Sequence, residues 1–182
     1  MGKQITIGAF EFTLEKPSAD TYDAHIDISR QDKDKGRTVL LATCISSPSQ
    51  PEMTRIFAAK PAIKRKLIDQ LLEMAGVGPN YRRLEADPER PNLVRYIIGD
   101  LVVAFRPATE AEYDAFWDAA GRSVSDASLV IVQQCVVEPP NIALLFAETP
   151  ALKHGIASLI ADEAGIGLEV IEKKQEPPSE AS

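Results

Sequence analysis

Four carboxylates, Asp20, Asp23, Glu112 and Asp114, sit near the starts of two helical patterns and are the residues best placed to form an acid–base pair. Paired carboxylates do such work when their surroundings push the two pKa values apart. Acidic residues in the first turn of a helix have a simpler use, because they complement the positive end of the helix dipole. His25 and His154 do not fall at corresponding places, and neither has a second histidine near it in sequence, so they read as surface or boundary residues without the ligand set of a metal site. Cys44 and Cys135 read as small buried apolar residues, able to bond only if the fold brings their Cα atoms within about 7 Å. The basic run "KPAIKRK" offers Lys60, Lys64, Arg65 and Lys66 to a phosphate, but a solvated helix face accounts for it better. "GVGPN" and "GIGLE" lack the Lys-Ser/Thr of a phosphate loop and the three-glycine dinucleotide spacing, and no G-x-S-x-G elbow occurs. These residues predict no enzyme, no catalytic or metal-binding residues and no cofactor.

The elements that carry these residues come in two copies. "FAAKPAIKR" from Phe57 and "FAETPALKH" from Phe146 stand 89 residues apart, as do Gly76 and Gly165. Upstream, "YDA" from Tyr22 and from Tyr113, and the two cysteines, stand 91 apart. The second copy is therefore shorter between cysteine and phenylalanine, and a further residue is expected to be missing before Pro107, where "IGAFEFTLEKP" meets "IGDLVVAFRP". The chain reads as a tandem repeat of units of roughly 80 residues. The expected organisation is a first unit over 1–90, a second over 91–172 and a flexible tail over 173–182, where apolar periodicity gives way to charge and proline.

Within each unit "ITIGAFEFTLEKP" and "YIIGDLVVAFRP" alternate as half-buried strands, with Gly8 and Gly99 marking a bulge or a turn between two short strands. Thr109 and Glu112 have capping-box spacing, and Tyr113, Phe116, Trp117 and Ala120 follow at helical spacing; Ser18 caps the first copy, where Thr21 replaces the glutamate. Polar breaks, "RQDKDKG" and "GRSVSD", lead into the apolar runs "TVLLATCI" and "ASLVIVQQCVV", whose valines and isoleucines favour a strand while Leu129, Val132 and Val136 also fit a helical face; periodicity alone does not decide between them, and helix is the reading taken because it suits a continuous bundle of short helices. "PEMTRIFAAKP" and "PNIALLFAETP" are short helices stopped before a proline that opens the next helix. The fold class is α+β, mostly helical: two tandem similar units, each a short strand or hairpin followed by three to four short helices.

At 182 residues, with 45% hydrophobic and 26% charged side chains, the chain has ordinary globular composition. A net charge of -7 disfavours nucleic acid as a partner. No apolar stretch approaches the roughly 18 residues of a membrane span, and the N-terminus has no long apolar segment of an export signal; neither membrane nor nucleic acid is expected as a partner.

The runs "FRPATEAEYDAFWDAA", "VQQCVVEPP" and "LLFAETPALKHGIASLIADEAG" resemble the small tail assembly chaperones of long-tailed bacteriophages. Arg106, Pro107, Thr109, Glu112 and Tyr113 match the helix-start motif, with Ala108 inserted; Cys135, Val136, Val137, Pro139 and Pro140 match the turn. The first copy departs at Lys16-Pro17-Ser18, at Thr21 and in "TCISSPS". The resemblance covers residues 98–167, and 7–78 by repetition. It implies a non-enzymatic protein of the host bacterial cytoplasm that binds the helical tape measure protein and delivers it for tail tube polymerisation. The tail tube protein is a second implied partner, and self-association is left open. The client-binding residues it suggests are Phe57, Leu67, Leu71, Trp117, Phe146, Ile156 and Ile160, with Tyr22 and Tyr113 as further candidates. It also raises a longer product made by frameshifting near Lys173-Lys174. The alternative reading is a structural virion protein such as a tail completion or connector component.

Overall fold

A computed structural model describes residues 2–78 and 80–165; the tail expected over 173–182, and Lys173-Lys174 where a frameshift was expected, lie outside them. The first unit opens with a hairpin of β1 (Lys3–Ile7) and β2 (Phe10–Leu14). Ile7 pairs with Phe10, so the loop has two residues, and Gly8 takes φ 66° at its first position. A positive φ there matches the right-handed twist of the flanking strands, and glycine adopts it at little steric cost. Helices α1 (Ala19–Gln31), α2 (Lys33–Cys44), α3 (Gln50–Ala59) and α4 (Pro61–Met74) follow, with β3 (Ile45–Ser47) between α2 and α3. The second unit repeats this order: β5 (Val94–Ile98), β6 (Leu101–Phe105), α5 (Glu110–Ala120), α6 (Val124–Cys135), β7 (Val136–Glu138), α7 (Ile142–Glu148) and α8 (Pro150–Glu163). The α+β class, the two tandem units and the four short helices in each are as the sequence predicts.

The repeat is more regular than its sequence suggested. From β1 against β5 to β3 against β7, every element starts 91 residues after its counterpart; α4 and α8 start 89 apart. No residue is missing before Pro107, because the N-caps Ser18 and Thr109 are themselves 91 apart; the proline has moved one place relative to the cap. The break "RQDKDKG" is mostly helix. Asp32 alone interrupts it, accepting from the backbone N–H groups of Asp34 and Lys35 at 3.0 Å each and so starting α2 one residue later. The three-residue strands β3 and β7 were not foreseen: they follow α2 and α6 without a turn, too short to show a period, and end at cis Ser47–Pro48 and Glu138–Pro139. The first sheet has the order β1-β2-β3.

The second sheet is β4-β5-β6-β7, and β4 (Tyr81–Arg83) pairs antiparallel with β5. Residues 81–83 therefore pair with the second unit, and the boundary at 90 moves to the segment between Val77 and Tyr81. Each unit keeps its own core. Phe12, Leu14, Leu40, Met53, Leu67 and Leu71 fill the first, and Val103, Phe105, Ile131, Val132, Ile156 and Ile160 the second. Cys44 lies in the first core and Cys135 in the second, both buried free thiols. The units pack head to tail: α1 lies on α6 and α8, while α5 makes no comparable contact with α2 and α4. A two-fold axis would have made the two contacts equal.

Candidate functional site: the joint between the units

Helix α1 starts where Ser18 accepts from the Thr21 N–H at 3.2 Å, with Asp20 in the first turn. Its Asp23, Asp27 and Arg30 follow at i, i+4 and i+7, one stripe of the helix, and that stripe faces the second unit. Asp27 caps a helix in the other unit: it accepts from the N–H groups of Val124 at 2.8 Å and Ser125 at 3.1 Å and from Ser123 Oγ at 2.9 Å. A carboxylate at a helix N-terminus is favoured by unpaired amides and dipole together. Arg30 donates to the carbonyl of Ala120 at the end of α5. At the N-terminal end of the stripe Asp23 accepts from Lys153 Nζ at 2.7 Å and lies 3.0 Å from His154 Nε2. Lys153, only 6% exposed, also donates to Ser125 Oγ at 2.8 Å.

This arrangement corrects two expectations. Asp23 is not a solvated first-turn carboxylate. Burial acts on it most strongly and raises its pKa, but the hydrogen bonds from His154, Lys153 and Ser125 outweigh that and bring it from 3.8 to about 2. The histidines are not separate surface residues either: Tyr22 lies between them, its ring centroid 5.9 Å from that of His25 and 5.6 Å from that of His154. Burial, with smaller contributions from Tyr81 and Asp23, pushes Tyr22 up to about 12, and burial also lowers the pKa of His25.

Ser128, His154 and Asp23 form a Ser–His–Asp chain with the ring nitrogens exchanged relative to a hydrolytic triad, Ser128 Oγ lying 3.2 Å from His154 Nδ1 and Asp23 3.0 Å from Nε2. The hydroxyl has a nearer acceptor in the Val124 carbonyl at 2.8 Å, and Ser128 is buried within the joint. The Ser125–Lys153 pair is equally enclosed. Ser125 and Ser128 are 5% and 3% exposed, and neither lines the cleft between the units. What these groups do is hold α1 to α6 and α8. No group of three or more metal-ligating side chains gathers among the described residues, and no described helix is long and apolar enough to cross a membrane.

Beside the network, the units enclose an open cleft of about 620 Å³. Its walls come from the turn after α4 (Gly76, Val77), the β5–β6 hairpin (Ile98, Leu101), Leu145 of α7 and Leu152 of α8. Glu73 and Asp100 add acidity to its lining. Gly76 at φ 91° turns the chain at its edge, and a Cβ there would overlap Thr149.

None of the seven residues proposed from sequence as client-binding lines this cleft. Leu67 and Leu71 are interior to the first core, and Phe146, Ile156 and Ile160 to the second, so they present no surface in this conformation. Phe57 is half-buried against the first core. Trp117 is 48% exposed and forms an edge-on cluster with half-buried Tyr113 and Phe116. Of the further candidates, Tyr22 is buried in the joint. The apolar stripes of short helices mark a unit's own core before they mark a partner's groove, because a unit of about 80 residues has few large side chains to spare. The joint had one sequence signal: "YDAHID" and "YDAFWD" repeat two aspartates that no core needs, and Lys64 and Lys153 correspond.

Residues 5–83 are similar to a domain of unknown function, DUF6848, which thus matches most of the first unit and the start of the second sheet. No curated protein matches the chain significantly, and no solved structure does.

Proposed function

We propose that the protein is a non-enzymatic phage tail assembly chaperone that holds apolar segments of a helical tape measure protein in the cleft between its two units. The observation that carries the reading is the cleft itself: about 620 Å³, apolar along most of its wall, and open at Val77, Leu101 and Leu145. An amphipathic helix docks in such a groove through side chains at i, i+3 or i+4 and i+7, and glycines at the edge let its backbone approach closely. The motifs of the second unit point to the same class of protein. The net charge of -7 favours encounter with basic stretches of a client. The binding surface then belongs to the pair of units rather than to each unit separately.

Coexpression with the tape measure protein, followed by size-exclusion chromatography and mass spectrometry, tests this. A soluble complex is expected, with the chain absent from purified particles. Val77→Asp and Leu145→Asp, both at accessible places in the cleft, should weaken the complex at least about tenfold, since each puts a charge on a buried apolar contact. Stoichiometric retention in mature tails would refute the chaperone reading and favour a structural virion component.

A further inference from the structure

The head-to-tail joint leaves its two halves open elsewhere on the molecule. In the joint, α1 is a plug, and the faces of α6 and α8 that carry Val124, Ser125, Ser128, Lys153 and His154 form its socket. By the 91-residue offset, Tyr22, Asp23, Ile26 and Asp27 of the plug correspond to Tyr113, Asp114, Trp117 and Asp118 on α5. Here Trp117 and both aspartates are exposed and Tyr113 is half-buried beside them, and neither aspartate has an ion-pair partner among the described residues. By the 91- and 89-residue offsets, the socket positions correspond to Lys33, Asp34, Arg37, Lys64 and Arg65 on α2 and α4. All five line one open cleft of about 620 Å³ in the first unit.

We propose that a second copy of this chain fills that cleft, with α5 of one molecule plugging the α2–α4 socket of the next as α1 plugs α6 and α8 within each molecule. The internal joint supplies the docking geometry, and three of the four substitutions in the socket agree with it in charge; the fourth, Asp34 in place of Ser125, opposes it and is itself paired with Arg37 at 3.5 Å. Lys153, which pairs with Asp23, is retained as Lys64 facing Asp114. His154, the second contact of Asp23, becomes Arg65, a permanent cation that also stacks on aromatic faces such as those of Tyr113 and Trp117. Ser128 becomes Arg37. Asp32 already caps α2, so in place of the amides that Asp27 caps in α6 the socket offers Asp118 the Lys33 ammonium. Lys33, Arg37, Lys64 and Arg65 outnumber Asp34 and Asp69 in the cleft, while the open plug brings Asp114 and Asp118. Arg30, which reaches Ala120 in the internal joint, corresponds to Gly121, so that one contact is not repeated. A heterologous contact of this kind extends into a ring or an open helical string. It does not depend on the tape measure reading, because it requires only this chain.

The test uses the full chain alone. Sedimentation velocity across a concentration series should show wild-type assemblies that dissociate at high salt. Asp114→Lys blocks the plug and Lys64→Ala with Arg37→Ala disables the socket. All three sites are at least partly exposed, and circular dichroism checks that the variants keep the fold. Each variant should be a monomer, with association weakened about thirtyfold or more, as when one partner of a desolvated charge pair is removed. Mixed one to one, the two variants should form a heterodimer and stop there, since the mixture contains one intact plug and one intact socket. Wild type that stays monomeric at every concentration overturns the proposal and leaves these faces to partners of other sequence. So does assembly that survives both variants, or a mixture that fails to associate, which would mean that the two faces are not each other's partners.

Discussion

Replacing Asp23 by asparagine keeps the side chain's shape and removes its charge, so it isolates what the joint between the units depends on. A carboxyl lowered from 3.8 to about 2 contributes about 2.4 kcal/mol at neutral pH by proton linkage. A quarter of the side chain is open to solvent, 25%, which screens that to a working figure of about 1.5 kcal/mol. The substitution also leaves the Lys153 ammonium enclosed without its counter-ion, and removing one partner of a buried pair costs about 3–5 kcal/mol in total. Allowing for the overlap between the two effects, Asp23→Asn is expected to cost about 3 kcal/mol at pH 7. The sign with pH follows from the direction of the shift. The folded pKa lies below the unfolded one, so the contribution is present above about pH 4 and is lost as pH falls through about 2. Urea unfolding of both proteins at several pH values measures this, and the difference between them should narrow by about 1.5 kcal/mol from pH 5 to pH 2. Adding Lys153→Met should recover part of the loss, because it removes the stranded charge. A difference below about 1 kcal/mol at pH 7, or one that does not change with pH, would refute the account of the joint as an ion-paired contact.

Three further outcomes follow from local geometry. Thr109→Ala removes the side-chain half of a formed capping box, the hydroxyl that accepts from the Glu112 N–H, while the Thr109 N–H keeps its bond to Glu112; it should cost about 1 kcal/mol in thermal or urea unfolding, and Ser18→Ala, which removes the matching cap of α1, about the same. Gly76→Ala places a side chain at φ 91° and against Thr149, so a loss of about 1–3 kcal/mol is expected in the same assay; an unchanged midpoint would show that the turn relaxes. Cys44, whose pKa burial and then Glu15 raise to about 11, and Cys135, raised chiefly by burial, should both react slowly with a thiol reagent in the native state and rapidly in denaturant.

The parts of this fold that could be read in the sequence are those set by local rules. Capping residues, prolines at helix starts, the glycine in a two-residue hairpin turn and the spacing of leucines on α4 act within a few residues, and each predicted its element. Strands β3 and β7 could not be read because three residues carry no period and their pairing is with β2 and β6, tens of residues away. The joint was hidden for a related reason. Asp23 stands 130 residues before Lys153 and 131 before His154, and the repeated aspartates of "YDAHID" and "YDAFWD", with the matched Lys64 and Lys153, mark no partner and no burial by themselves. Apolar stripes gave the opposite error: Leu67, Leu71, Ile156 and Ile160 were legible as stripes, but periodicity cannot say whether a stripe faces its own unit or a partner.

The two copies nevertheless differ in an informative way. Most of what they share is needed twice by the same fold: the turn glycines, the cysteines, the helix-starting prolines and the core leucines and isoleucines. Asp114 and Asp118 do not belong to that group, since α5 is capped by Thr109 and braced by Arg106 on Glu112 at 2.8 Å without them. Their counterparts Asp23 and Asp27 act on the other unit, not on their own. Trp117 likewise adds an exposed aromatic where α1 has an isoleucine. A string of modules joined head to tail always ends with one plug and one socket unfilled, however many modules one chain contains. An acidic, aromatic α5 and a basic α2–α4 cleft are the surfaces such a string presents at its ends, and covalent linkage of two modules removes only one of its junctions from the control of concentration.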